Sequence, residues 1–174
     1  MSTLELKELS HPSGEVIKIA AGKTLDLKTQ GSVTLPVGTV TQFVRATGST
    51  ETATTSSTFA NTNASVTITP LSASSHIYLS HTAGGLANDA GDAGLRITRA
   101  ISGGATTTIY TSVRYGYVST SSWVPMNWGV IDVDEAHNTT SAITYTIQIS
   151  CGGSGEVRHC DNASWNFVVM EMQQ

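Results

Sequence analysis

The stretch Ala142-Ile-Thr-Tyr-Thr-Ile-Gln-Ile-Ser150 decides the fold, because apolar and polar side chains alternate along it without a break. Successive side chains of an extended strand point to opposite faces, so Ile143, Tyr145, Ile147 and Ile149 share one face. The other face carries Thr and Gln, which tolerate contact with water. The stretch is therefore predicted to be a β-strand that covers one side of a core.

Similar patterns of apolar and polar residues occur on both sides of this strand. Other segments alternate or are rich in β-branched residues, and Ser, Thr, Asn and Gly separate them. The further predicted strands are Ser65–Pro70, His76–His81, Leu95–Arg99, Thr106–Tyr110, Ser112–Val118, Trp123–Val133 and Trp165–Met172, with an exposed loop at Gly48–Ser57. No segment shows a helical period. About eight strands at this spacing predict an all-β fold, an antiparallel β-sandwich of the jelly-roll type.

The length of the apolar runs changes near residue 38. Before it, short apolar runs such as Val16–Ile19 and Leu25–Leu27 are each cut off by Gly or Pro. Strands this short bury too little surface to hold themselves in place, so a partner chain or a larger body must complete them. We therefore predict a short-stranded attachment stem in residues 1–38 and a β-sandwich head in residues 39–174. This is the layout of a structural or adhesive protein.

Composition sets limits on the function. Charged residues make up 13% of the chain and the net charge is −4, so no electrostatic footprint for nucleic acid is visible. All four lysines lie within the first 28 residues, which sets the stem apart chemically and suits docking on an acidic surface. Neither a long apolar run nor a secretion signal occurs, so we expect a soluble protein made in a cytosol, without membrane insertion.

The densest acidic cluster is formed by Asp132, Asp134 and Glu135, with His137 close by. On a strand, Asp132 and Asp134 would point to the same face and could coordinate a hard cation. The alternative is a charged strand end that leads into the turn at Asn138–Thr140, and it carries more weight because isolated acid pairs are common on loops. The pair is a weak metal candidate, and no cofactor is otherwise indicated.

No arrangement of residues indicates catalysis. The Gly-x-Ser-x-Gly motif is absent, and the five histidines are scattered. His76 and His81 are five positions apart, so on a strand they face opposite sides. The acidic cluster around Asp132 is the only carboxylate pair with catalytic potential. We therefore expect a protein that is not an enzyme.

Two cysteines, Cys151 and Cys160, flank Gly152–His159 at the junction of the last two predicted strands. A hairpin at this junction would bring them close enough for a disulfide. A reducing cytosol would instead leave two thiols, and the two alternatives are equally supported. Zinc is less favoured than either, because the pair supplies too few ligands even with His159.

Aromatic residues cluster between Tyr110 and Trp128. Tyr and Trp on loops suit sugar binding because they combine an apolar face with a polar group. The alternative is that Trp128, and with less support Trp123, fills the core. The candidate ligand-binding residues are Tyr117, Trp123, Asn88 and Asp89, and the candidate contact loops are Asn88–Gly94, Ser119–Trp123 and Gly152–His159. Gly, Ser and Asn give such loops an adaptable surface.

The chain resembles the short virion structural or tail-fibre-like proteins of marine tailed bacteriophages. The stretches that carry the resemblance are Gly14–Pro36 with Gly38–Gln42 in the stem, and Val66–Pro70, Ser72–Ile77, Leu95–Arg99, Ser141–Gln148 and Val168–Glu171 in the head. The order of these elements is more specific than any one of them. The resemblance implies a phage particle component with a trimeric β head and no catalytic residues.

We therefore expect a phage virion structural protein, a tail fibre or another projecting appendage, that contacts the host surface during adsorption. It would be made in the host cytoplasm and join other virion proteins through residues 1–38. A homotrimer is expected because the short stem strands need burial between subunits, and a host glycan or receptor is the outer partner. The alternatives are a capsid decoration or head-fibre protein, and a glycan-binding or glycan-processing adsorption protein.

Overall fold

The computed structural model describes residues 21–22, 35–88 and 91–174. The chain divides into two units, Met1–Thr34 and Leu35–Gln174, and almost all of the described residues belong to the second. Most of the predicted stem, residues 1–38, therefore lies outside the described residues. Its short strands, its anchoring role and the boundary at residue 38 stay predictions.

The described residues contain ten β-strands and no helix. The strands are β1 (Val40–Gly48), β2 (Thr52–Thr54), β3 (Ala60–Ile68), β4 (His76–Asn88), β5 (Gly91–Ile101), β6 (Thr106–Val118), β7 (Val124–Asp134), β8 (Ile143–Cys151), β9 (Glu156–His159) and β10 (Trp165–Met172). Within this part of the chain, no helix is long and apolar enough to cross a membrane.

The strands form two antiparallel sheets with a core between them. The first sheet has the order β1-β10-β4-β7, and β9 and β2 continue it beside the last residues of β4. The second sheet has the order β3-β8-β5-β6. The chain crosses repeatedly between the sheets, and the last strand returns to pair with the first. This interleaved order is that of a jelly roll, so the predicted sandwich is confirmed.

The alternating strand that decides the fold lies at the centre of the second sheet. Ile143, Tyr145, Ile147 and Ile149 of β8 are all fully buried. From the other sheet, β10 buries Phe167 against the same core. Each such side chain contributes about 1.5–3 kcal/mol to folding by leaving water. The alternation thus specifies both the strand and the face that it turns inward.

Trp128 fills the core as predicted, and it depends on Gly85 for its place. The Trp128 indole N–H donates to the carbonyl oxygen of Arg158 over a distance of 2.9 Å. A Cβ at Gly85 would lie 2.1 Å from that oxygen and 2.3 Å from the indole nitrogen. Only glycine lets the strand pass beneath this hydrogen bond.

The register gives the sandwich two ends. At the first end, here called the base, the Gly38 N–H donates to the carbonyl of Gln173 and Val40 pairs with Met172. The described unit therefore begins and ends at the base. At the opposite end, here called the tip, Gly48 pairs with Trp165 and Asn88 pairs with Glu156.

Two short strands lie where the sequence predicts loops. β2 falls inside the predicted loop Gly48–Ser57, and β9 falls inside the predicted loop Gly152–His159. They pair with each other, and β9 also pairs with the end of β4. Partners so distant along the chain supply the hydrogen bonds that these segments lack locally, which corrects both loop predictions.

Candidate functional site

The tip brings together the three segments that the sequence marks for contact. Asn88 pairs with Glu156, and Asp92 pairs with Tyr117. The predicted loop Asn88–Gly94 is much shorter than expected, because β4 ends at Asn88 and β5 begins at Gly91. Asp89 and the side chain of Asn88 lie outside the described residues, so their predicted role in ligand binding stays a prediction.

Trp123 lies at the surface of the tip and not in the core. It is 39% exposed, and the guanidinium carbon of Arg158 lies 4.3 Å from the centroid of its ring. A guanidinium over an aromatic face is attracted by the electron-rich ring. Arg158 of β9 therefore fixes the indole of the Ser119–Trp123 loop, and joins two of the predicted contact segments.

Three carboxylates surround the Arg158 guanidinium. Its nitrogens lie 2.8 Å from Glu156, 3.4 Å from Asp161 and 3.8 Å from Glu51. The hydrogen bond that Arg158 donates to Glu156 is the main reason that the pKa of Arg158 is raised above its ordinary value. These contacts hold the guanidinium in the position from which it stacks on Trp123.

Glu51 and Asp161 of this cluster also interact with each other. The hydrogen bond between the two side chains raises the pKa of Glu51 and lowers the pKa of Asp161. Glu51 is therefore the member of the pair that takes up a proton first as the pH falls. With Trp123 and Arg158, this cluster offers an aromatic ring, a cation and several acceptors, a set that suits contact with polar, hydroxyl-bearing surfaces.

Tyr115 and Tyr117 of β6 have different environments. Tyr117 is 65% exposed at the tip. Tyr115 stacks on Trp128 with ring centroids 5.5 Å apart, and its hydroxyl accepts the Gly129 N–H at 2.7 Å and donates to the Gly129 carbonyl. Tyr115 is thus engaged in packing, and Tyr117 is available for contact.

The acidic pair predicted as a weak metal site has another role. Asp134 is buried, receives hydrogen bonds from Arg99 at 2.7 and 2.9 Å, and receives one from the Tyr145 hydroxyl at 2.8 Å. Burial, with Asp134 beside it, raises the pKa of Tyr145. Asp132 accepts the N–H of Val133. Asp134 therefore links the two sheets, and no metal-holding group of three or more His, Cys, Asp or Glu occurs in the described residues.

The sequence left a disulfide and two thiols as equal alternatives for Cys151 and Cys160, and the structure shows no disulfide between them. Cys160 keeps its thiol, which donates to the carbonyl of Ala163 at 3.1 Å. The predicted hairpin between them does not exist, because Cys151 ends β8 in one sheet and Cys160 follows β9 in the other. Both side chains are buried.

A buried histidine pair was missed by the sequence reasoning. His81 of β4 and His159 of β9 have Nε2 atoms 3.0 Å apart and rings stacked at 5.1 Å. Burial lowers the pKa of His81 to about 3 and that of His159 to about 4, so both are neutral near pH 7. The alternation around His81 signals its inward direction, but nothing local signals its partner.

A second polar cluster missed by the sequence lies at the base. Glu171 of β10 accepts the Ser75 hydroxyl at 2.6 Å and the N–H groups of Leu71 and Ser72. Burial favours a higher pKa for Glu171, but these hydrogen bonds outweigh it and lower the pKa. His137 Nε2 lies closer to the Ser75 carbonyl, at 2.7 Å, than to the hydroxyl, at 3.3 Å. The cluster is buried and holds the β3–β4 turn in place.

No family model matches the chain, and no curated protein matches it. A chain in the structure of infectious bursal disease virus Gx strain is similar over 77% of this chain and 33% of its own length, with 13% identity and a TM-score of 0.36. A chain of the Gt strain is similar over 86% of this chain and 42% of its own, with 13% identity and a TM-score of 0.27. This chain spans less than half the length of either, and at these TM-scores the likeness supports no functional argument.

Proposed function

We propose that this protein is a structural component of a virus particle, and that its jelly-roll unit projects outward as a tail-fibre-like or similar appendage. In this arrangement residues 1–38 join other virion proteins, and the tip contacts the host surface during adsorption. The main support for the proposal is that the base and the tip lie at opposite ends of the sandwich. The described unit begins at the base, whereas the contact segments meet at the tip around Trp123 and Tyr117.

The architecture is consistent with this role. Jelly rolls occur in viral shell proteins and in sugar-binding proteins, although a fold by itself does not determine function. The resemblance of the stem and head stretches to phage virion proteins supports the same reading. The clusters of Asp134 and of Ser75 with Glu171 serve packing, and we propose no catalytic role for either.

We propose in addition that the protein is a homotrimer, and an exposed apolar row on the first sheet supports this. Phe43, Met170, Tyr78 and Val133 are successive partners across β1, β10, β4 and β7. Phe43 is 61% exposed, and Ile131, two residues before Val133, is 65% exposed. Contiguous exposed apolar surface marks interaction sites in soluble proteins, and a second copy of this chain would cover it.

Adsorption of particles to host cells tests the contact role. Particles that carry Trp123→Ala together with Tyr117→Ala should adsorb more slowly than wild type, because both changes remove exposed aromatic surface at the tip. Val113→Ala removes a similarly exposed side chain, 70% exposed on β6, and serves as the control. Undiminished adsorption of the double variant would favour a capsid decoration role and overturn host contact by the tip.

A further inference from the structure

A groove of about 400 Å³ opens at the tip end of β1 and β10. This volume is within the range of small-molecule sites in proteins. The groove is lined by Arg45, Thr47, Gly48, Ser49, Ser164, Trp165 and Asn166. None of these residues takes part in the contacts between Trp123 and Arg158, so the groove is a separate feature of the tip.

Arg45 supplies the only charge among the described residues of the lining. Its Nε donates to the side-chain oxygen of Asn166, which orients the guanidinium. Arg99, Arg114 and Arg158 each pair with a carboxylate, but Arg45 has no such partner among the described residues. Its terminal N–H groups are therefore available to an anionic group, which a guanidinium can bind through two parallel hydrogen bonds.

Trp165 forms the apolar part of the groove wall. Its ring packs on Gly48, where a Cβ would lie 2.8 Å from three ring atoms. The residue is 6% exposed, and its indole nitrogen is buried without a hydrogen-bond partner in the described part of the chain. Because this nitrogen is closed off from solvent, the ring serves as an apolar wall, and the hydrogen-bonding groups that a ligand can reach are the polar side chains around it.

We propose that this groove binds an acidic saccharide. The carboxylate would pair with Arg45, and the sugar hydroxyls would bond to Ser49, Ser164 and Asn166. Hydroxyl and amide groups beside one cation match a ring that carries several hydroxyls and a single carboxylate. The single cation selects for one acidic group. The proposal rests on the proposed function, since it names the class of surface molecule that the tip would meet.

Binding of glucuronate, with glucose as the neutral comparison, tests the proposal. The chain has three tryptophans, so the indole N–H signals are few enough to follow by NMR. Glucuronate should shift the Trp165 indole signal, and Arg45→Gln should weaken binding by about tenfold or more through loss of the charge-assisted hydrogen bonds. Arg114→Gln makes the same charge change on an exposed arginine outside the groove and should leave binding unchanged.

Three results of the binding experiment would overturn the saccharide proposal. They are no shift with glucuronate, equal binding of glucose, and glucuronate binding that survives Arg45→Gln. Thermal melting of the variants excludes loss of folding as the cause. Cell adsorption separates the two proposals: if Arg45→Gln particles adsorb normally while particles with both Trp123→Ala and Tyr117→Ala do not, the groove proposal fails and the proposed function stands.

Discussion

His81 and His159 face each other inside the sandwich with their Nε2 atoms 3.0 Å apart, although they are far apart in the sequence. Two neutral imidazoles can share one hydrogen bond at this distance, since one ring donates and the other accepts. A proton added to either ring would place a buried charge against its neighbour. Burial of the pair therefore opposes protonation of either ring in the folded state.

This pair predicts a loss of stability in mild acid. The folded-state pKa values of about 3 and about 4 lie below the ordinary value of 6.5. Below pH 6.5 the unfolded chain takes up protons that the folded chain does not, so unfolding becomes easier as the pH falls toward 4. Between pH 6.5 and 4.5 the free energy of unfolding should drop by roughly 3–5 kcal/mol at most from these two groups. Urea unfolding at several pH values measures it.

The double variant His81→Leu with His159→Leu provides the comparison. It removes both titrating groups and keeps the site apolar, so the decline between pH 6.5 and 4.5 should flatten. Melting at pH 8 establishes that the variant folds. An unchanged decline in the double variant would assign the acid sensitivity to other groups.

Gly85→Ala should be strongly destabilising. The new Cβ would lie 2.1 Å from the Arg158 carbonyl, which is backbone and cannot turn away, so the hydrogen bond from Trp128 must break or β9 must shift. We expect a loss of about 2–4 kcal/mol in the free energy of unfolding. Gly104→Ala is the control, because the nearest atom to its Cβ is 3.4 Å away in an open turn. Equal stability of the two variants would contradict the proposed constraint.

Two arginine–aspartate pairs allow a direct comparison of burial. The side chains of Arg99 and Asp134 are 12% and 3% exposed, whereas those of Arg114 and Asp92 are 72% and 29% exposed. Asp134→Ala leaves a mostly buried guanidinium without its partner and should cost about 3–5 kcal/mol. Asp92→Ala should cost less than about 1 kcal/mol, because water screens the exposed pair. Similar losses measured by urea unfolding would argue against the linking role of Asp134.

The sequence predicts those parts of the fold that local alternation encodes. The predicted strand Trp165–Met172 is observed with the same bounds, and the predicted strand Ala142–Ser150 is observed at Ile143–Cys151. Such strands can be recognised in the sequence because the face that packs against the core must be apolar. Ser112–Val118 and Thr106–Tyr110 are instead a single strand, β6, whose exposed residues hide the continuity.

What the sequence could not predict depends on contacts between distant segments. β2 and β9 are strands only because they pair with each other and with β4. Without β9 there is no partner for His81, and the apparent hairpin between Cys151 and Cys160 cannot be recognised as a change of sheet. In the sequence Asp134 is a candidate metal ligand, because its hydrogen bonds with Arg99 and Tyr145 of the other sheet cannot be seen there. Arg45 and Trp165 likewise meet only through the pairing of β1 with β10.

The apolar row on the first sheet makes the trimer proposal testable at a single side chain. Light scattering of the full chain should give three times the chain mass of 18.2 kDa. Phe43→Glu should shift the mass toward that of one chain, because a charge placed in the row opposes its burial against a second copy. The substituted side chain is already 61% exposed, so folding of the unit itself should be little affected and melting of the separated chains remains cooperative.

Val113→Glu is the matched control, since Val113 is similarly exposed but lies on β6 of the other sheet. It should leave the trimer intact. A wild-type mass of one chain would overturn the trimer. A trimer that survives Phe43→Glu as well as Val113→Glu would move the interface away from this face, and residues 1–38 would then be the place to seek it. Expressing residues 39–174 alone decides between those two locations: if the apolar row holds the copies together, this fragment remains trimeric, and if the stem does, the fragment falls apart into single folded chains.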